Sequence, residues 1–455
     1  MKIIRAKRSR LKQSLIPGLG LIAICTSLML SAQNPQPQID KLPAPGTGTP
    51  NFGSVVPQPA GATPKVPAGF SVSLYAEQLP GARYITVAPN GDLFVSQYAQ
   101  SIITILRDAN KDGVPEIRSV YASAAGNAPR GGGGGGGGQR GARGAPPAST
   151  AAAAVPCTTG PVPAGTVGIR NPQGMAFHNG YLYIANTDSI VRYKYTSGDM
   201  TAQGQPEKLV DLITGGHTWR NVIFNTAGTK MYVSVGSSSN NDAGEDCRRA
   251  AILEYNPDGT GEKIFASGLR NPEGMAWQPP ANNVLWTSVN ERDNYGDDLV
   301  PDYITSVKEG GFYGWPYSYL GQNYDPRYTG GQPDLVKRAV VPDVLIPAHS
   351  AAIGLTFYTG TQFPQRYRNG AFVGLHGSWN KSMAEGAKVI FVPFTNGRPG
   401  PIEDFLTGFV VDAKANTKWG RPAGVTVAPD GSLLVGDDAG GKIWQIKYSA
   451  AAARN

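Results

Sequence analysis

LRNPEGMAWQPPANNVLWTSV, residues 269–289, is an apolar run, a turn rich in Pro and Asn, and a second apolar run. Taken alone it reads as a β-hairpin. The phrase recurs, six times in all: ARYITVAPNGDLFVSQ from Ala82, IRNPQGMAFHNGYLYIAN from Ile169, HTWRNVIFNTAGTKMYVSV from His217, HSAAIGLTFYTG with NGAFVGLHG from His349, and RPAGVTVAPDGSLLVGD from Arg421. Val87, Phe177, Phe224, Trp277, Phe357 and Val427 fall in register, at spacings of about 47 to about 90 residues, so insertions separate similar units. Later strand-like runs follow at 102–106, 190–193, 251–255, 389–392 and 443–446. A small antiparallel sheet has too little core alone, and radial stacking supplies the rest. The expected fold is all-β: a six-bladed β-propeller of four-stranded antiparallel blades. Its last unit lacks an outermost strand, which the alternating run 70–75 can supply, closing the ring without an open edge.

Composition agrees with many short strands: 59 Gly, 37 Pro and 20 Tyr in 455 residues, 40% hydrophobic, with no long helical stripe. The basic N-terminus, the apolar run 15–30 and the small residues Ser31 and Ala32 follow the order of a secretory signal over 1–32. That leader implies a periplasmic or secreted protein with no stable membrane insertion once it is removed. Losing its six cations takes the formal charge from +8 to +2, so pI 9.2 is no argument for a nucleic-acid partner. Cys157 and Cys247 are then the two remaining thiols, free or paired in an oxidising compartment. Residues 33–67 read as a disordered leader or linker, 68–448 as the propeller, and 449–455 as a tail. Within the propeller, 122–156 includes eight consecutive glycines and reads as a flexible surface insertion.

Equivalent positions in a propeller share radius and height. Arg170, His217 and Arg270 stand four residues before the aligned Gly or Asn, and His349 and Arg421 lie within one position of that register. They are expected to converge around the central channel. His217 is the candidate base, because imidazole accepts a proton near neutral pH. His178 reads as a turn residue, and His376 follows a strand and is a candidate pocket residue. Arg270 with Asn271 suits a carboxylate or carbonyl, or ties adjacent blades; Arg170 with Asn171 repeats the pair and the alternatives. Glu291, Asp293, Asp297, Asp298 and Asp302 crowd one loop, as a calcium site or a solvated turn.

RNPEGMAW, NERDNYGDDLVPDY, GGFYGWPY, LHGSWNKS and GDDAGGKIWQI together resemble the glucose/sorbosone dehydrogenase family, and within it the sorbosone dehydrogenase branch. The resemblance spans about residues 68 to 448. It implies a soluble quinoprotein on a six-bladed propeller, with pyrroloquinoline quinone (PQQ) and calcium as cofactors. By that resemblance His217 takes the substrate hydroxyl proton while hydride passes to the quinone. Arg270 and Asn271 contact the quinone, and Arg421 meets a carboxylate. Main-chain oxygens near Arg292 and Asp293, with Glu291, hold the calcium.

Two departures stand out. Where glucose-oxidising relatives support the histidine with an acidic residue, this chain reads Val235-Gly236-Ser237-Ser238. The position of their quinone-contacting lysine falls at His376–Gly377, leaving Lys381 or His376 as candidate replacements. The expected activity is oxidation of a sugar aldehyde or aldose, with electrons passed to a separate cytochrome or quinone because the chain has no CxxCH. The rival readings are a metal-dependent lactonase propeller and a noncatalytic carbohydrate-binding propeller.

Overall fold

Turn chemistry sets the hairpins. Asn179 and Gly180 both take positive φ, 45° and 73°, in a two-residue turn whose twist suits paired strands, and Met175–His178 runs antiparallel to Tyr181–Ala185. The other repeats form the same pair: Ala82–Val87 with Leu93–Gln97, Val222–Phe224 with Met231–Val235, Asn271–Trp277 with Leu285–Asn290, Ala352–Phe357 with Ala371–Leu375, and Pro422–Val427 with Leu433–Asp437. The computed structural model describes residues 36–124 and 157–449. The leader 1–32, most of the insertion 122–156 and the tail beyond Ser449 lie outside them.

Each hairpin grows into an antiparallel sheet of four strands. In the last, Phe70–Ala76 pairs antiparallel with Lys442–Tyr448 and takes the outer position. The third sheet adds Gly311–Phe312, parallel to Lys263–Ser267. The fold is therefore all-β and propeller-like.

Strands buried on both faces send alternate side chains to different clusters. Ala371 and Val373 join Trp286 and Ile304 between the fourth and fifth sheets, while Phe372 joins Trp444 and Ile446 between the fifth and sixth. Comparable clusters lie between the first and second sheets, the second and third, and the third and fourth. Another, with Ile85, Val95, Leu434 and Ile443, lies between the sixth and the first.

The aligned glycines let leading strands touch. A Cβ on Gly274 would lie 2.6 Å from the Ile353 carbonyl oxygen, one on Gly354 2.2 Å from that of Ala423, and one on Gly424 2.4 Å from that of Arg83. The repeated Gly is thus a packing requirement where neighbouring sheets meet. Apart from a 3-10 turn at Ile39–Lys41, residues 36–67 form little regular structure and are mostly exposed, yet hydrogen-bonded at intervals: Gly46 N–H to Tyr295 O, Asn51 N–H to Trp379 O, and Ser54–Val55 parallel to Thr417–Lys418.

Candidate active site

Two bulges build the centre. Pairing of the first hairpin skips Arg83, and that of the fourth slips between Pro272 and Met275. A bulge re-aims the side chain it frees, and here Arg83 and Glu273 meet at 3.3 Å, both buried, although 190 residues apart. Arg83 also pairs with Asp438 at 3.0 Å and stacks its guanidinium 3.4 Å from the Trp219 ring centroid. The side-chain amides of Asn271 and Asn290 each donate to Glu273 Oε1 at 2.9 Å. Arg83 and Glu273 thus tie together the start of the first sheet, the start of the fourth and the loop after the second strand of the sixth.

His217 opens the third repeat. Its Nδ1 lies 3.0 Å from both the carbonyl and the hydroxyl oxygen of Ser237. A carbonyl only accepts, and the hydroxyl spends its own hydrogen on the Ser239 carbonyl at 2.6 Å. Nδ1 therefore carries the proton and Nε2 the lone pair. Nε2 has no protein hydrogen-bond partner among the described residues. Burial, and then the charge of Arg270, pull the ring's pKa down to about 3. Gly236 passes between His217 and Asn271: a Cβ there would lie 2.6 Å from His217 Cβ and 2.3 Å from Asn271 Oδ1. Two residues on, Ser238 donates its N–H and hydroxyl to Glu245, whose pKa burial raises to about 7. Cys247, on the same loop, is disulfide-bonded to Cys157.

His376 joins the centre from the fifth sheet, its Nε2–H donating to Asp438 at 2.7 Å. Burial pushes Asp438 up, but His376, Arg83 and Arg421 outweigh it and hold the carboxyl well below its usual range. Arg421 donates Nε–H to the His376 carbonyl at 2.9 Å and Nη2–H to that of Gly377 at 3.3 Å. It makes no carboxylate ion pair among the described residues, and burial lowers it to about 10.

The acidic loop is neutralised from within. Arg270, 3% exposed, donates to the Asn240, Asn290 and Glu291 carbonyls and to Asn240 Oδ1, and lies 3.6 Å from Asp293. Asp293 also accepts from His349 Nδ1 at 3.0 Å. The Arg292 side chain is fully buried between Glu291, at 3.1 Å, and Asp325, at 3.0 Å. Asp302 caps Glu291 N–H and Ala351 N–H, and Asp297 holds Ser382.

The structure joins Asn271, His376 and Arg421 through one polar network, with His217 packed against it at Gly236. Arg270, Glu291, Arg292, Asp293 and His349 form the adjoining cluster. Arg170 joins neither: its guanidinium lies 2.7 Å from Asp188 with the side chain 58% exposed. Lys381 turns to Asp298 at 3.1 Å. His178 stacks on Phe224 at 4.2 Å. Sequence reasoning missed Arg83, Glu273, Trp219 and Asp438. All four lay inside quoted stretches, but nothing in the repeat register set their side chains apart.

Unpartnered polar atoms decide what the centre has room to hold. Asn271 Oδ1, Asn290 Oδ1 and Arg83 Nε are buried without a hydrogen-bond partner, and Arg421 has no carboxylate. The donors among them, Arg83 and Arg421, fit an anion bearing carboxylates or carbonyls, whereas the two amide oxygens are acceptors and fit an N–H or O–H group of a bound molecule. In the acidic loop Glu291 Oε1 is a buried orphan oxygen, which fits a hard cation, whereas the Asp293 carboxylate is already paired.

The fold and site define a propeller-like β-protein with a buried, cation-rich centre beside a neutral imidazole. Residues 208–445, more than half of the chain, match the family model described as Glucose / Sorbosone dehydrogenase. The chain belongs to the glucose/sorbosone dehydrogenase family. An uncharacterised protein of Borreliella burgdorferi is 29% identical over 304 residues, 62% of this chain and 76% of that protein. An aldose sugar dehydrogenase of Escherichia coli is 26% identical over 256 residues, 52% of this chain and 61% of the enzyme, which is less than two thirds of its length. Among solved structures, the holo form of the PQQ domain of a pyranose dehydrogenase from Coprinopsis cinerea superposes with a TM-score of 0.64 at 20% identity, covering 86% of this chain and 98% of that one. The PQQ-bound aldose sugar dehydrogenase of Streptomyces coelicolor gives 0.52 at 17%, covering 85% and 100%.

Proposed function

We propose that the chain is an exported, PQQ- and calcium-dependent dehydrogenase that oxidises a sugar aldehyde or aldose and hands electrons to a separate cytochrome or quinone. It is carried on a six-bladed propeller closed by the strand Phe70–Ala76. The hydrophobic cluster between the sixth and first sheets supports closure. The disulfide suits an oxidising compartment outside the cytoplasm, and no described helix is long and apolar enough to cross a membrane.

The observation that carries the reading is the state of His217: a neutral ring, its Nδ1–H held by Ser237, its Nε2 lone pair open, beside a buried centre short of anions. In this reading Nε2 accepts the substrate hydroxyl proton. Ser237 fixes the tautomer, replacing the acidic partner with neutral acceptors. Arg421 and Asn271 hold the cofactor, and Glu291 with the Arg292–Asp293 main chain holds calcium. Bound PQQ supplies a two-electron, hydride-accepting centre. The lactonase reading needs carboxylates free to work on water, whereas Glu273, Asp438 and Asp293 are each committed to a protein cation or histidine.

Reconstitution tests this. Mature protein with PQQ and calcium should reduce a redox dye in the presence of aldoses or sugar aldehydes, and His217→Ala should not. Chelation should remove the activity and calcium restore it. Absence of PQQ binding would overturn the reading and leave a hydrolase or a binding protein.

A further inference from the structure

We propose that Lys418 is a cofactor-binding residue that meets a carboxylate or carbonyl oxygen of the quinone, standing in for the lysine that glucose-oxidising relatives carry around His376–Gly377. This rests on the quinone reading above. Lys418 is 4% exposed. Its ammonium donates to no acceptor and has no carboxylate within 4 Å among the described residues, and its charged neighbour is another cation, Arg421. Burial, then Arg421, pull its pKa down to about 8. A largely buried lysine set beside another cation with no counter-ion is costly, and fold stability gives no reason to keep one. An anion arriving between Lys418 and Arg421 removes that cost.

Geometry places the ammonium at the required spot. A Cβ built on Gly377 would lie 3.4 Å from Lys418 Nζ. Arg421 holds the carbonyls of His376 and Gly377 next to it. Together with Ala387 N and Glu385 O, the ammonium therefore borders the side-chain space at 377, reaching it from another strand, Thr417–Lys418, just before the sixth leading strand. That short strand is anchored on both sides, by Ser54–Val55 and Val410–Asp412, so the lysine is presented from a paired backbone. Lys381 lies closer in sequence to the expected position but is spent on Asp298 and Glu385.

The test is PQQ binding, followed by quenching of tryptophan fluorescence in calcium buffer, with melting of the apo protein alongside. Lys418→Met should weaken PQQ binding by ~10- to 100-fold, the scale of one lost charged hydrogen bond, and should melt no lower than wild type without PQQ. Lys418→Arg should bind within about threefold of wild type, since it keeps the charge. Unchanged PQQ affinity in Lys418→Met overturns the proposal while leaving the quinone reading intact. So does a lower apo melting temperature with retained binding, which would make Lys418 structural. Loss in Lys381→Met with retention in Lys418→Met would assign the contact to Lys381. Wild type that binds no PQQ overturns both.

Discussion

His217 and His349 open the third and fifth repeats, and they are held in opposite states. Nδ1 of His217 faces a carbonyl and a hydroxyl, both accepting, and Nε2 is open. Nδ1 of His349 faces the Asp293 carboxylate at 3.0 Å, and Nε2 faces the Gly296 carbonyl at 2.9 Å. Both nitrogens of His349 need hydrogens, so it is an imidazolium. Burial alone would lower its pKa, but the carboxylate outweighs burial and raises it. In His217 the hydrogen bond to the Ser237 carbonyl and the charge of Asp293 offset burial and Arg270 only in part, and the pKa stays low. Repeat register places two histidines alike; the partner opposite Nδ1 decides which ring keeps an open lone pair and which is a fixed charge.

Removing the proposed base should have the largest effect. His217→Ala is expected to lower kcat of the reconstituted enzyme by ~10²- to 10⁴-fold with little change in melting temperature. Breaking the charged counterpart acts on stability instead. Asp293→Asn strands Arg270 and His349 as buried cations and should cost about 3–5 kcal/mol, read from the urea midpoint. Opening the disulfide that anchors the Ser237 loop, by Cys247→Ser, should cost about 2–4 kcal/mol for its long closed loop. The smallest effect at neutral pH sharpens the contrast most. Ser237→Asp gives His217 the kind of partner His349 has and should raise its pKa by ~1–3 units. Protonated Nε2 cannot accept a proton, so the variant should lose kcat/KM as pH falls through the raised pKa, where wild type stays flat between pH 7 and about pH 4.

The fold was legible because hairpin turns and aligned glycines are local. Asn179–Gly180 announces its turn within two residues, and Gly274, Gly354 and Gly424 recur because strands touch there. The centre was only partly legible. Register predicts where a Cα lies, not where a long side chain goes, so Arg170 shares the register of Arg270 yet swings out to Asp188. Arg83 and Glu273 meet across 190 residues through bulges that no periodicity announces. Lys418 stands outside the repeats, on a two-residue strand whose partner is the leader segment. The pairing of Cys157 with Cys247 was open on the sequence alone, because 90 residues separate them.

The most direct test of this account is a ¹⁵N NMR titration of the imidazoles, tractable because the chain has four histidines, with His217→Ala for assignment. The account predicts a His217 ring that is neutral, protonated at Nδ1, from pH 7 down to about pH 4, beside a His349 ring charged at pH 6. A His217 ring that is charged at pH 6, or protonated at Nε2 when neutral, would contradict it.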